Sequence, residues 1–92
     1  MNETQLKIKV LKYLRETYPK SIWFKISDRF TVGIPDIIGC IEKDGRLVGM
    51  ELKSEKGKST KMQEYFINKI NNAGGIAGVC YSLDDVKKLL TF

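Results

Sequence analysis

Histidine is absent from this 92-residue chain, and that one absence removes several chemistries. A Ser-His-Asp triad, a Cys-His pair, a histidine-based nuclease centre and a histidine-containing zinc site all need an imidazole. Any hydrolysis by the chain must therefore use water activated by a carboxylate-bound metal. Cysteine is nearly as scarce. Cys40 and Cys80 fall in expected buried strands, and in a reducing cytosol they read as small apolar core residues without chemistry. No apolar run approaches the roughly 20 residues that span a bilayer, and Met1 is not followed by a basic-then-apolar leader. A soluble, cytoplasmic protein with no membrane partner is expected. Proline occurs only twice, at Pro19 and Pro35, and each marks the boundary of an element.

What is plentiful is positive charge. Sixteen Lys and Arg outnumber eleven Asp and Glu, a net charge of +5 that suits a polyanionic partner or, more simply, keeps a small protein in solution. The length corresponds to a single domain, 1–92, whose modest core leaves much surface exposed. Oligomerisation would cover part of it.

From Glu3 to Tyr18 apolar residues recur at Leu6, Val10, Leu14 and Tyr18 with Leu11 alongside, an amphipathic helix capped by Asn2 and stopped by Pro19. Glu3 lies one heptad before Val10 and points almost along the apolar stripe. It is either a first-turn partner of the helix dipole, the reading that helix physics alone favours, or a carboxylate turned toward a site. Ser21 to Ile26 is a short aromatic and β-branched strand. The polar loop after it leads to Gly33-Ile34-Pro35, where Pro35 fixes the entry to a second strand.

That second strand, Ile37 to Glu42, and a third, Leu47 to Leu52, flank Asp44-Gly45, a strong hairpin signal. With Asp44-Gly45 as the centre of a two-residue turn, Lys43 faces Arg46, Asp36 faces Lys53, and Glu51 sits on the adjacent diagonal. Asp36, Glu51 and Lys53 then share one face. Two carboxylates and a lysine ending an apolar hairpin can be a site for Mg²⁺ or Mn²⁺, whose charge would offset their repulsion and desolvation, or an ordinary ion-pair ladder. The residues alone leave both open.

After Lys53 comes a polar, basic loop. Thr60 to Gln63 fits a capping box opening a helix with the stripe Met62, Tyr65, Phe66, Ile70 and Ala73, ended by Gly74-Gly75. Gln63 caps that helix or reaches back to the acidic end of the hairpin. A fourth strand, Ile76 to Tyr81, and a last helix opened by Ser82 complete the order. A strand, a helix and a strand in succession predict a parallel crossover within a mixed sheet.

Gly33-Ile34-Pro35-Asp36, Glu51-Leu52-Lys53 and Gln63, on an αβββαβ order, resemble the PD-(D/E)xK nuclease superfamily, and within it the stand-alone VRR-NUC domain. Glu3, Gly57 and the Ser59-to-Gln63 spacing extend the likeness over nearly the whole chain. The resemblance implies an α/β, restriction-endonuclease-like αβββαβ core with a mixed four-stranded sheet flanked by helices, plus a short C-terminal helix. It implies catalytic roles for Asp36, Glu51, Lys53, Gln63 and Glu3. It further implies a Mg²⁺ or Mn²⁺ ion held by Asp36, Glu51, the Leu52 carbonyl and Glu3. DNA is the implied partner; Lys25, Arg29, Lys56, Lys58 and Lys61 are candidates to meet its phosphates or else ordinary solvated charge. The expected activity is a structure-specific endonuclease that resolves four-way junctions as a homodimer, with interface aromatics drawn from among Trp23, Phe24, Phe30 and Tyr81. The rival is a nucleic-acid-binding or scaffold protein that keeps the fold without turnover.

Overall fold

In the computed structural model, which describes residues 1–27 and 30–92, the chain begins with a closed cap. Asn2 accepts a hydrogen bond from the Gln5 amide at 2.8 Å, and the Gln5 side chain accepts from the Asn2 amide at 3.0 Å. Helix α1 (Glu3–Thr17) follows and buries Leu6, Val10, Leu11 and Leu14, the stripe expected from the spacing. Strands β1 (Ile22–Lys25), β2 (Ile37–Cys40) and β3 (Leu47–Leu52) come next. Helix α2 (Lys61–Asn72), strand β4 (Ile76–Cys80) and helix α3 (Leu83–Leu89) complete the chain. The sheet order is β1-β2-β3-β4, with the first two pairings antiparallel and the last parallel, as the strand-helix-strand succession predicts. Among the described residues no helix is long and apolar enough to cross a membrane.

Alternation along β3 sorts the two faces of the sheet. Val48, Met50 and Leu52 join Ile37, Cys80, Trp23, the α1 stripe and Val86 in one buried cluster. Gly49 and Glu51 face the other way, toward α2, whose Ile70 lies close over Gly49. Helix α2 packs on β3 and β4, and none of its residues is fully buried. The outer part of that face is left bare: Ile22 and Phe24 of β1 and Leu47 of β3 are exposed.

The hairpin differs from its expected form by two residues. Ile37 pairs with Met50 and Cys40 with Leu47, and the Ile41 and Arg46 backbones close the turn around four residues, 42–45. A two-residue turn of the expected type needs positive φ at both central positions. Only Gly45 adopts it, at φ 78°, while no described non-glycine residue does. Asp44 instead accepts from the Arg46 amide at 3.2 Å and from its guanidinium at 2.7 Å, which stabilises the wider loop. Because the shift is even, every side chain keeps its face, but Asp36 moves from a place opposite Lys53 to one opposite Glu51. Two further expectations fail. Cys40 is exposed at the loop end of β2, where its thiol bonds the Gly45 carbonyl, and Trp23 is only 5% exposed, under α1, so it belongs to the core and to no interface.

Candidate active site

Asp36 is set by backbone constraints on both sides. Its carbonyl accepts from the Ile26 amide at 2.8 Å, which extends the β1–β2 pairing one step past the strands. Ahead of it, Gly33 has φ +88°, and a Cβ there would stand 2.6 Å from the Met62 backbone. Only glycine lets this segment pass so close to the start of α2. Pro35 is buried, and the register places it opposite Leu52. A proline has no N–H to give the Leu52 carbonyl, and the Leu52 amide finds its acceptor in a side chain instead. Asp36 Oδ2 takes it at 2.8 Å. The N–H and C=O of a strand residue point to the same side, so the Leu52 carbonyl also opens toward Asp36.

Glu51 stands across from Asp36 and is 3% exposed, the one buried charged residue among those described. Its Oε1 accepts from Gln63 Nε2 at 3.1 Å, with Lys53 Nζ 3.9 Å away. Its Oε2 is buried and has no hydrogen-bond partner. Burial pushes the Glu51 carboxyl up to about 8, helped by the neighbouring Asp36 carboxylate and opposed by Lys53 and Lys7. At neutral pH the pair therefore tends to keep a proton.

A buried, unpaired carboxylate oxygen beside a second carboxylate is a costly arrangement for a fold to maintain on its own. A hard divalent cation fits that donor set. Asp36, Glu51 and the Leu52 carbonyl could hold one. Lys53, half-buried on the same face, presents an ammonium beside them.

The remaining expected residues are distributed as follows. Gln63 does both things its position allows: its side-chain oxygen caps the Thr60 amide at 2.8 Å while its nitrogen holds Glu51. Glu3 lies in the first turn of α1 and accepts from the Ser54 amide at 3.3 Å, just past β3. No group of three acidic, cysteine or histidine side chains close enough for a metal exists among the described residues, so Glu3 is not part of a three-carboxylate cluster here. Lys25 is exposed one residue before Ile26, next to Asp36 in the sheet. Lys56 and Lys58 are exposed between β3 and α2, and Lys61 is exposed at the start of α2. Arg29 lies outside the described residues. One residue escaped the sequence reading. Lys7 Nζ sits 3.3 Å from Asp36 Oδ1, and the signal for it was its place four residues after Glu3, on the same side of the helix.

Comparison with known proteins agrees with this fold. The family model of the VRR-NUC domain matches residues 2–84. A solved structure described as a VRR_NUC domain superposes with a TM-score of 0.67 at 25% identity, covering 89% of this chain and 90% of that one. No curated protein matches the chain.

Proposed function

The chain belongs to the VRR-NUC family, whose fold is that of a nuclease, and from this we propose that it is a divalent-metal-dependent endonuclease hydrolysing DNA phosphodiester bonds. The observation that carries the reading is the buried, unpartnered Glu51 oxygen facing Asp36. Without histidine, a carboxylate-bound ion is what remains to activate water.

Asp36, Glu51 and the Leu52 carbonyl would hold Mg²⁺ or Mn²⁺, which when bound lowers the pKa of a water and offsets charge on the phosphate. Gln63 fixes the Glu51 carboxylate through Oε1 and leaves Oε2 for the ion. The Leu52 amide does the same for Asp36, binding Oδ2 so that the carboxylate cannot rotate. Lys53, beside Glu51, orients the attacking water and donates to the non-bridging oxygen on which charge develops. Glu3, tied to Ser54, positions the chain immediately after Lys53. Lys25, Lys56, Lys58 and Lys61 meet the DNA backbone through charge alone and give no sequence preference.

The test is incubation of linear and branched DNA with Mg²⁺, Mn²⁺ or EDTA. Cleavage that needs the cation supports the enzyme. Tight DNA binding with no cleavage under any condition supports the non-catalytic alternative, against which the buried acidic pair already argues, since a binding surface has no use for it.

The substrate we propose is a four-way junction, cut by a homodimer. A domain of this size has one centre and little surface with which to read DNA shape, whereas a dyad would match a two-fold substrate. The bare sheet face supports the dimer: Ile22, Phe24 and Leu47 are exposed on one face, with Cys40 of β2 between Ile22 and Leu47, and Phe30 and Tyr81 are exposed elsewhere. A monomer mass by light scattering at micromolar concentration removes the dimer. Equal cleavage of junction and linear duplex removes the structure preference and leaves the chemistry standing.

A further inference from the structure

Asp36 has two carboxylate oxygens, and both are engaged. Oδ2 is taken by the Leu52 amide, part of the backbone framework and not available for exchange. Oδ1 is taken by the Lys7 ammonium at 3.3 Å. The two side chains are 23% and 20% exposed, so this contact lies on the solvent side of the acidic pair. The other carboxylate has its own ammonium in Lys53. Two acids are thus matched by two lysines, and of these Lys7 alone comes from α1, an element that contributes nothing else to the pair. Among the described residues Asp36 is the one ion-pair partner of Lys7.

A divalent cation between Asp36 and Glu51 would stand within a few ångströms of the Lys7 ammonium. Like charges at that distance repel, so ion binding and the Lys7–Asp36 contact oppose each other. A phosphate on the same side reverses the balance, because it accepts the ammonium that the ion releases.

We propose that Lys7 is the counter-ion that the divalent cation displaces from Asp36, and that the freed ammonium binds a phosphate of the incoming strand, so that cation and DNA bind cooperatively. The inference rests on the metal-dependent reading above and adds a positioning residue to it. Lys7 pairs with Asp36 in the free protein, weakens ion binding in the absence of DNA, and strengthens it in the presence of DNA. By reciprocity the ion must improve DNA binding by the same factor.

The experiment compares the parent with Lys7→Met, which keeps the apolar stem, and with Lys7→Arg, which keeps the charge; Lys7→Gln replaces the methionine variant should that one not fold. Mn²⁺ is titrated calorimetrically into each metal-free protein. Binding of a labelled duplex oligonucleotide is followed by fluorescence anisotropy in EDTA and in Ca²⁺. The neutral variant is expected to bind Mn²⁺ about tenfold more tightly than the parent and to lose most of the Ca²⁺-dependent gain in DNA affinity. The arginine variant is expected to retain that gain. A merely structural lysine would give weaker or unchanged ion binding. If the neutral variant binds Mn²⁺ no more tightly than the parent, the role of Lys7 is refuted while the metal site stands. If the parent binds no Mn²⁺ at all, the metal-dependent reading fails and this inference with it.

Discussion

Gln63 and Glu51 meet at 3.1 Å through the side-chain nitrogen that Gln63 has left after capping its own helix. The side-chain oxygen, at 2.8 Å from the Thr60 amide, closes the capping box. One side chain therefore ties the start of α2 to the buried acid on β3. A glutamine suits this place because its two ends have opposite hydrogen-bonding character.

The two ends can be separated by substitution. Thr60→Ala removes the hydroxyl that accepts from the Gln63 amide at 3.2 Å and should cost about 1 kcal/mol, with cleavage close to that of the parent. Gln63→Met should cost a similar amount of stability but lower turnover at least about tenfold, because Glu51 loses its donor. Paired thermal melts and cleavage rates check this. Equal loss of activity in both variants would reduce Gln63 to a cap.

The raised Glu51 pKa makes a prediction about pH. The folded, metal-free protein holds a proton at Glu51 up to about pH 8, whereas the unfolded chain releases it near 4.5. The folded state thus binds more protons between these values, and stability must fall as pH rises through them, on the order of a few kcal/mol. Below 4.5 the contribution is fully present. Melts in EDTA from pH 5 to pH 9 should show the decline, and Glu51→Gln should flatten it. A parent that is as stable at pH 9 as at pH 5 would show that Glu51 carries no such proton.

Asp36 behaves differently, and here the structure changes an expectation. From charge repulsion alone, removing either acid from the metal-free cluster should leave the protein as stable or slightly more so. The same outcome is expected of Glu51, whose Oε2 has no hydrogen-bond partner. Asp36, however, satisfies the Leu52 amide and pairs with Lys7. Asp36→Ala should cost about 1–3 kcal/mol for the amide left bare, while Asp36→Asn keeps the acceptor and should cost less. Both should abolish turnover. Melts of the two variants in EDTA decide it, and identical stabilities would contradict the bond to Leu52.

The sequence made the element order, the parallel strand pairing, the Asn2 cap, the Thr60–Gln63 capping box and the shared face of Asp36, Glu51 and Lys53 legible, because periodicity and cap chemistry are local. The hairpin register was not. Asp44 is as suited to bonding Arg46 as to adopting positive φ, and only the folded loop shows which it does. Two-residue parity protected the site from that error, since an even slip leaves faces unchanged. The burial of Trp23 and exposure of Cys40 were hidden for another reason: α1 covers the core face of the sheet, while on the opposite face α2 stops at β3. Lys7 was missed because its spacing from Glu3 marks only a shared side of α1, and the fold alone brings Asp36 to it.

The most direct test of a cation-dependent Asp36–Glu51 centre is DNA cleavage by the parent and by Glu51→Gln, each in Mn²⁺ and in EDTA. The substitution keeps the shape and removes the charge. The parent should cut in Mn²⁺ and not in EDTA, and the variant, folded to the same melting temperature or higher in EDTA at pH 8, should be slower by about a hundredfold or more. Cleavage by the parent that persists undiminished in EDTA, or a variant as active as the parent, would contradict the account.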